Sequence, residues 1–112
     1  MNLDWRYAKQ IDEWRVIMVT ARSTECKMIT WDSEGGSEIT EREPRAKTTK
    51  YPAVCNDGTK WFVSIAGYTT YVERHDIENN TWEELPPINV YRCSAAAVVL
   101  NHVIYVFCGE GS

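Results

Sequence analysis

Four cysteines, two histidines and several adjacent carboxylates are the residues of this chain whose types could do chemistry. A zinc or copper site needs three or four such groups converging on one point. His75 and His102 have no second ligand at metal spacing, and Cys26, Cys55, Cys93 and Cys108 contain no C-x-x-C pair. Ser94 with His102 lacks the G-x-S-x-G elbow and an acid to orient the imidazole. Glu83 and Glu84 are neighbours, and on a strand neighbours project to opposite faces, so they do not converge as acid and base. No helix follows Gly109-Glu110-Gly111 to offer a phosphate its terminal amides. The expectation is no catalytic residue, no metal and no cofactor, and hence no enzyme. The histidines then read as structural or solvent-exposed, and the cysteines as reduced core residues of an intracellular, cytoplasmic protein.

Composition narrows the rest. The 112 residues are 44% hydrophobic and 25% charged, as in a soluble domain rather than a disordered tail. Twelve Lys and Arg against sixteen Asp and Glu leave a net charge of −4, which draws the chain to neither nucleic acid nor an anionic membrane. The basic cluster Arg42, Arg45, Lys47 and Lys50, broken by Glu43 and Pro44, reads as a solvated loop. No apolar run approaches the roughly 20 residues that span a bilayer, and residues 1–14 lack the apolar core of a signal peptide.

Short strand-type runs occupy most of the chain. Residues 14–20, 26–31, 38–41, 51–55, 61–65, 70–75, 81–85, 94–100 and 103–107 are rich in β-branched, aromatic or alternating residues. Gly35-Gly36, Asn56-Asp57-Gly58, Asn79-Asn80 and Asn101-His102 mark turns between them. No long stretch has helical period, so the chain is all-β. Residues 1–13 are the exception: Leu3, Tyr7, Ile11 and Trp14 fall at helical spacing, which suggests a lead-in that is a short helix or irregular.

The runs repeat. Residues 32–37 superpose on 76–81 at an offset of 44, residues 61–67 on 103–109 at 42, and residues 14–20 precede 61–67 by about 47. A period of this size carrying four strands is that of a propeller blade. Three parts follow: a partial blade at 14–43, a complete blade at 48–85, and the inner strands of a further blade within 86–112. That makes about two and a half four-stranded antiparallel blades, an incomplete β-propeller. A closed propeller takes at least about four blades of roughly 40–50 residues.

The best-patterned stretch reads Val72 to Asp76, Asn80-Thr81-Trp82, Leu85-Pro86, Arg92, then Ile104-Tyr105-Val106 and Cys108-Gly109. In that order and spacing it resembles a kelch repeat. Departures are Ala66-Gly67 and Cys108-Gly109 in place of a double glycine, and Ile39 near where the first unit would carry tryptophan. Trp31-Asp32 raises the WD-repeat propeller as a rival, but only one unit has it and no Gly-His pair precedes it. Physical roles accompany the pattern. Gly67 and Gly109 suit a positive φ where the chain turns outward. Asp76 caps the turn before Asn79, and Trp82 covers the gap to a neighbouring blade.

In such a blade the a–b and c–d turns share one face and the longer b–c and d–a loops share the other, a rigid scaffold with a variable rim. Arg22, Arg45, Tyr68, Thr70, Asn89, Tyr91 and Arg92 are the candidate binding residues on that rim. The kelch resemblance implies a protein-binding scaffold, recruiting substrates for a cullin-type ubiquitin ligase or binding cytoskeletal proteins, with a protein or peptide as partner. Two alternatives stand beside it: a fragment of a kelch-like enzyme whose catalytic residues lie elsewhere, or an incomplete product without independent function. Open blade edges also lead to an expectation of self-association.

Overall fold

The β-branched and aromatic runs pair as antiparallel strands throughout the computed structural model, which describes residues 7–20, 22–56, 60–107 and the backbone of 110–111. Strands β1 (Ala8–Asp12), β2 (Arg15–Val19), β3 (Cys26–Trp31) and β4 (Ser37–Glu41) form one four-stranded sheet in sequence order. Strands β5 (Ala53–Asn56), β6 (Trp61–Ile65), β7 (Val72–Asp76) and β8 (Thr81–Leu85) form a second. A third layer is the hairpin of β10 (Ala96–Leu100) and β11 (Val103–Phe107), with a short pair of β9 (Arg92–Cys93) and β12 (Glu110–Gly111) beside it. The first strands of the three layers are neighbours, β1 beside β5 and β5 beside β10. The sheets are blade-like, and they do not close into a propeller.

The internal repeat is visible as repeated hydrogen bonds. Trp31 donates its backbone N–H to Trp14 as Ile77 does to Lys60, both at 2.8 Å. Thr20 donates to Glu25, as Ala66 does to Tyr71. Asp32 accepts from Glu34 at 2.9 Å and Asp76 from Glu78 at 3.1 Å, the same side-chain turn in both units. Asp76 also accepts from the backbone and side chain of Asn79, and these bonds hold its carboxyl at about 2.

Residues 1–13 were expected to be a helix or irregular, yet Ala8–Asp12 is strand β1, paired with β2. The first sheet is therefore a complete four-stranded unit over residues 8–41 rather than a partial one starting at 14. The ambiguity has a simple cause: residues four apart share a face in a helix and in a strand alike. Tyr7 and Ile11 both reach the core between the first two sheets. Strands β5 and β10 start later than expected, because Tyr51 (φ 48°) and Ser94 (φ 56°) are left-handed. These are equivalent places in the repeat, and the N–H of Ser94 donates to the carbonyl of Tyr51 at 3.0 Å. Gly109 and Cys108, and most of the turn expected at 56–58, lie outside the described residues.

Sheet two is apolar on both faces. Val54 and Phe62 pack with Tyr7, Ile17, Val19 and Cys26 toward sheet one. Ala53, Cys55, Val63, Ile65 and Val72 pack with Ala97, Val99, Ile104 and Val106 of the hairpin. Cys26, Cys55 and Cys93 are buried, and burial pushes the Cys26 thiol up to about 12. Trp82 covers the seam between sheets one and two: its indole N–H donates to the carbonyl of Glu43 at 2.6 Å, and its ring lies 4.6 Å from the His75 imidazole. Arg42 closes the joint, donating to His75 Nε2 at 3.4 Å and to the Ile77 carbonyl.

His75 is fully buried, and burial together with the Arg42 charge lowers its pKa to about 4. The unfolded chain then binds the proton first, so this contribution is whole above about 6.5 and is lost as pH falls toward about 4. Chemical denaturation across that window is expected to show stability falling with pH, and His75→Phe is expected to flatten that slope. Equal slopes in the two proteins would contradict the assignment.

The third layer is covered on one face only. Val98, Leu100, Val103, Tyr105 and Phe107 point away from sheet two and are 39–57% exposed. A contiguous apolar face of this kind favours association. Sedimentation velocity is expected to show concentration-dependent growth, reduced when Leu100 and Tyr105 are changed to threonine.

Candidate functional site

The rim is assembled from left-handed turns that lock successive sheets together. Arg22 (φ 62°) and Tyr68 (φ 61°) sit at the same position of the repeat, each one turn beyond its second strand. The Arg22 N–H donates to the Thr49 carbonyl and the Tyr68 N–H to the Arg92 carbonyl, both at 2.8 Å. Arg45 N–H donates to Thr24 at 2.8 Å, and Ile88 N–H to Thr70 at 3.1 Å. The b–c and d–a loops thus share one rim and bind each other through their backbones. Gly67 (φ 94°) lies where these loops cross, and a Cβ there would collide with the Lys50 carbonyl. No other residue fits that crossing without displacing backbone.

An open cleft of about 460 Å³ lies on this rim, lined by Arg22, Thr48, Thr49, Lys50, Gly67, Tyr68, Thr69 and Tyr91. Among the described residues its charged lining is Arg22 and Lys50, with no carboxylate. Three tyrosines run beside it, with ring centroids 6.0 Å apart from Tyr51 to Tyr68 and again from Tyr68 to Tyr91. The Arg22 guanidinium is 6.0 Å from the Tyr51 ring and the Lys50 ammonium 5.8 Å from the Tyr68 ring. Cations held near tyrosine faces can hydrogen-bond an anionic group and stack its apolar neighbour.

Of the residues expected on the rim, Arg22, Tyr68 and Tyr91 line this cleft. Asn89 and Arg92 line an adjoining one of about 400 Å³ with Pro87, Ile88, Val90, Ile104 and Val106. Thr70 is half-buried, its carbonyl accepting from Ile88. Lys50, Tyr51 and the threonines 48, 49 and 69 were not foreseen. Tyr51 was assigned to a strand, and threonine in a loop gives no sign that it borders a cleft.

Arg45 does not belong to the exposed rim, and the basic cluster is solvated only in part. Arg45 is 3% exposed, while Lys47 and Lys50 remain exposed. Its guanidinium donates to the Thr20 carbonyl at 2.9 Å, the Ser23 carbonyl at 2.6 Å and the Thr49 hydroxyl at 2.7 Å. It also faces the Glu73 carboxylate at 3.8 Å. The carbonyls of a buried turn need donors, and the fork of an arginine supplies several at once. Glu73, 1% exposed on β7, accepts from the Tyr71 hydroxyl at 3.0 Å. Burial raises the Glu73 carboxyl and lowers the Arg45 guanidinium, so desolvation outweighs their attraction in both. Burial and the bond to Glu73 push the Tyr71 phenol up to about 12, and Lys47 lies 4.5 Å over its ring. This cluster is tied to the cleft through Thr49, which lines it and whose hydroxyl accepts from Arg45.

The chemistry-bearing residues are dispersed. His75 is a packing residue of the seam, and His102 is exposed in the β10–β11 turn. Glu83 is exposed and pairs with Arg74 at 2.8 Å. Among the described residues no three His, Cys, Asp or Glu side chains are grouped to hold a metal ion, and no helix is long and apolar enough to cross a membrane. Comparison of the chain with protein-family models and with curated proteins finds no match.

Removing one member of a buried ion pair strands the other, at a cost of about 3–5 kcal/mol. Arg45→Met is expected to lose stability on that scale in equilibrium denaturation. Arg45→Met with Glu73→Leu is expected to recover part of it, since no charge is then left buried alone. A surface role for Arg45 would instead leave stability within about 0.5 kcal/mol of the parent.

Proposed function

We propose that this chain is a protein-recognition module, a portion of a kelch-type propeller that binds an acidic segment of a partner protein along its b–c and d–a rim. The observation that carries the reading is the cleft flanked by Arg22 and Lys50 and walled by Tyr68 and Tyr91, with Tyr51 packed against Tyr68, cationic on a chain whose net charge is −4. Concentrating positive charge on one rim of an acidic molecule steers acidic partners to that rim and away from the rest. Tyrosine and arginine are also the residues that dominate binding energy at protein interfaces.

The backbone bonds between loops hold the cleft in shape before a partner arrives, which reduces the ordering cost of binding. The resemblance to kelch repeats favours a role for such a module in recruitment to a cullin-type ubiquitin ligase or in attachment to the cytoskeleton. The reading assigns the chain no catalysis and no cofactor.

Screening an array of acidic and basic peptides against the purified chain tests this directly. Acidic peptides are expected to be retained, and Arg22→Glu with Lys50→Glu is expected to weaken them by about tenfold or more. Glu34→Lys with Glu78→Lys, on the turns of the opposite face, is expected to leave binding unchanged. Equal loss from both pairs would remove the rim from consideration.

A further inference from the structure

The cations of the cleft are placed unlike those of the strands. Arg15, Lys27 and Arg74 each hold a carboxylate, at 2.7, 3.4 and 2.8 Å. Lys60, just before β6, holds Asp76 at 3.4 Å. Arg22 and Lys50 are exposed and, among the described residues, hold no carboxylate, in a chain with sixteen acidic side chains to twelve basic ones.

Backbone bonds fix the parts of this cleft relative to one another. The Lys50 N–H donates to the Gly67 carbonyl at 3.1 Å, beside the bonds of Arg22 to Thr49 and of Tyr68 to Arg92. Two cations and an aromatic ring thus come from three separate segments and keep one arrangement. Tyr68 is tilted by 57° against Tyr51 and by 69° against Tyr91, and 43% of it stays exposed. The cleft therefore offers two positive charges without a counter-charge, next to aromatic surface that is only partly covered.

A ligand that answers both features carries more than one negative charge on a compact group, with an aromatic ring beside it. A side-chain carboxylate brings a single charge on an aliphatic stem. A phosphate monoester brings about −1.5 to −2 near neutral pH, with three strong acceptor oxygens for an arginine and a lysine together. On tyrosine that group stands at the end of a ring, which other tyrosine rings can pack against. Resting on the recognition of acidic segments proposed above, we infer that the segment bears a phosphotyrosine, its phosphate held by Arg22 and Lys50 and its ring set against Tyr68 and Tyr91.

Four fluorescent peptides of one acidic sequence, differing only in a central tyrosine, phosphotyrosine, phosphoserine or glutamate, are titrated against the full chain by anisotropy. The phosphotyrosine peptide is expected to bind at least about tenfold more tightly than the tyrosine and glutamate peptides, with phosphoserine between them. Arg22→Gln with Lys50→Gln is expected to abolish the gain from phosphate. Tyr68→Leu is expected to bring phosphotyrosine down to the level of phosphoserine, whose own binding stays within about twofold. In phosphorus NMR the bound phosphate is expected to titrate below its usual second pKa of about 6, because two cations favour the dianion. Retention of the tyrosine and glutamate peptides with no gain from phosphate would overturn the inference and leave acidic recognition standing. Phosphoserine binding as tightly as phosphotyrosine would overturn it as well. Retention of none of the four would remove acidic recognition together with it.

Discussion

Everything in this molecule depends on the second sheet being apolar on both faces. Val54 and Phe62 project one way and Ala53, Cys55, Val63 and Ile65 the other, so the sheet is stable only between two further layers. Side chains alternate along a strand, so a continuous apolar run such as Trp61–Ile65 is the mark of a strand covered on both sides. Sheet one and the β10–β11 hairpin supply those covers. The outward face of the hairpin is apolar, with Val103, Tyr105 and Phe107 of β11 presented to solvent.

The rim follows from that stacking. Layers that pack face to face bring their loops together at one end, and the loops satisfy one another's backbone groups there. Left-handed residues at 22, 51, 68 and 94 turn the chain sharply enough for those bonds to form. Arg45 and Glu73 are a charged pair buried where a solvated loop was expected. Its retention makes sense as positioning: one guanidinium ties the Thr20 and Ser23 carbonyls to Thr49, joining two loops that line the cleft. Tyrosines and cations gathered at the cleft then face solvent as a preformed surface.

Most of the strands and turns could be read directly from residue types. Cys26–Trp31, Trp61–Ile65, Thr81–Leu85 and Val103–Phe107 fall on the expected bounds, because alternation and turn residues are local properties. The Asp76 turn was legible for the same reason. Strand β1 was not, since a spacing of four residues satisfies helix and strand equally. The site was half legible. Arg22, Tyr68 and Tyr91 could be assigned to the rim from the order of strands and loops, but Lys50 and Tyr51 gain their places only from contacts across the layers.

The sequence by itself determined the strand type, the repeat near 44 residues and the division of loops between two rims. Those properties arise from neighbours a few residues apart, or from the same pattern returning along the chain. Only the tertiary structure decided that Arg45 is buried and Lys50 exposed, and that His75 lies sealed between Arg42 and Trp82. Burial depends on which distant segment comes to lie on a residue. Two cations five positions apart in one basic loop carry no local sign of which will be covered.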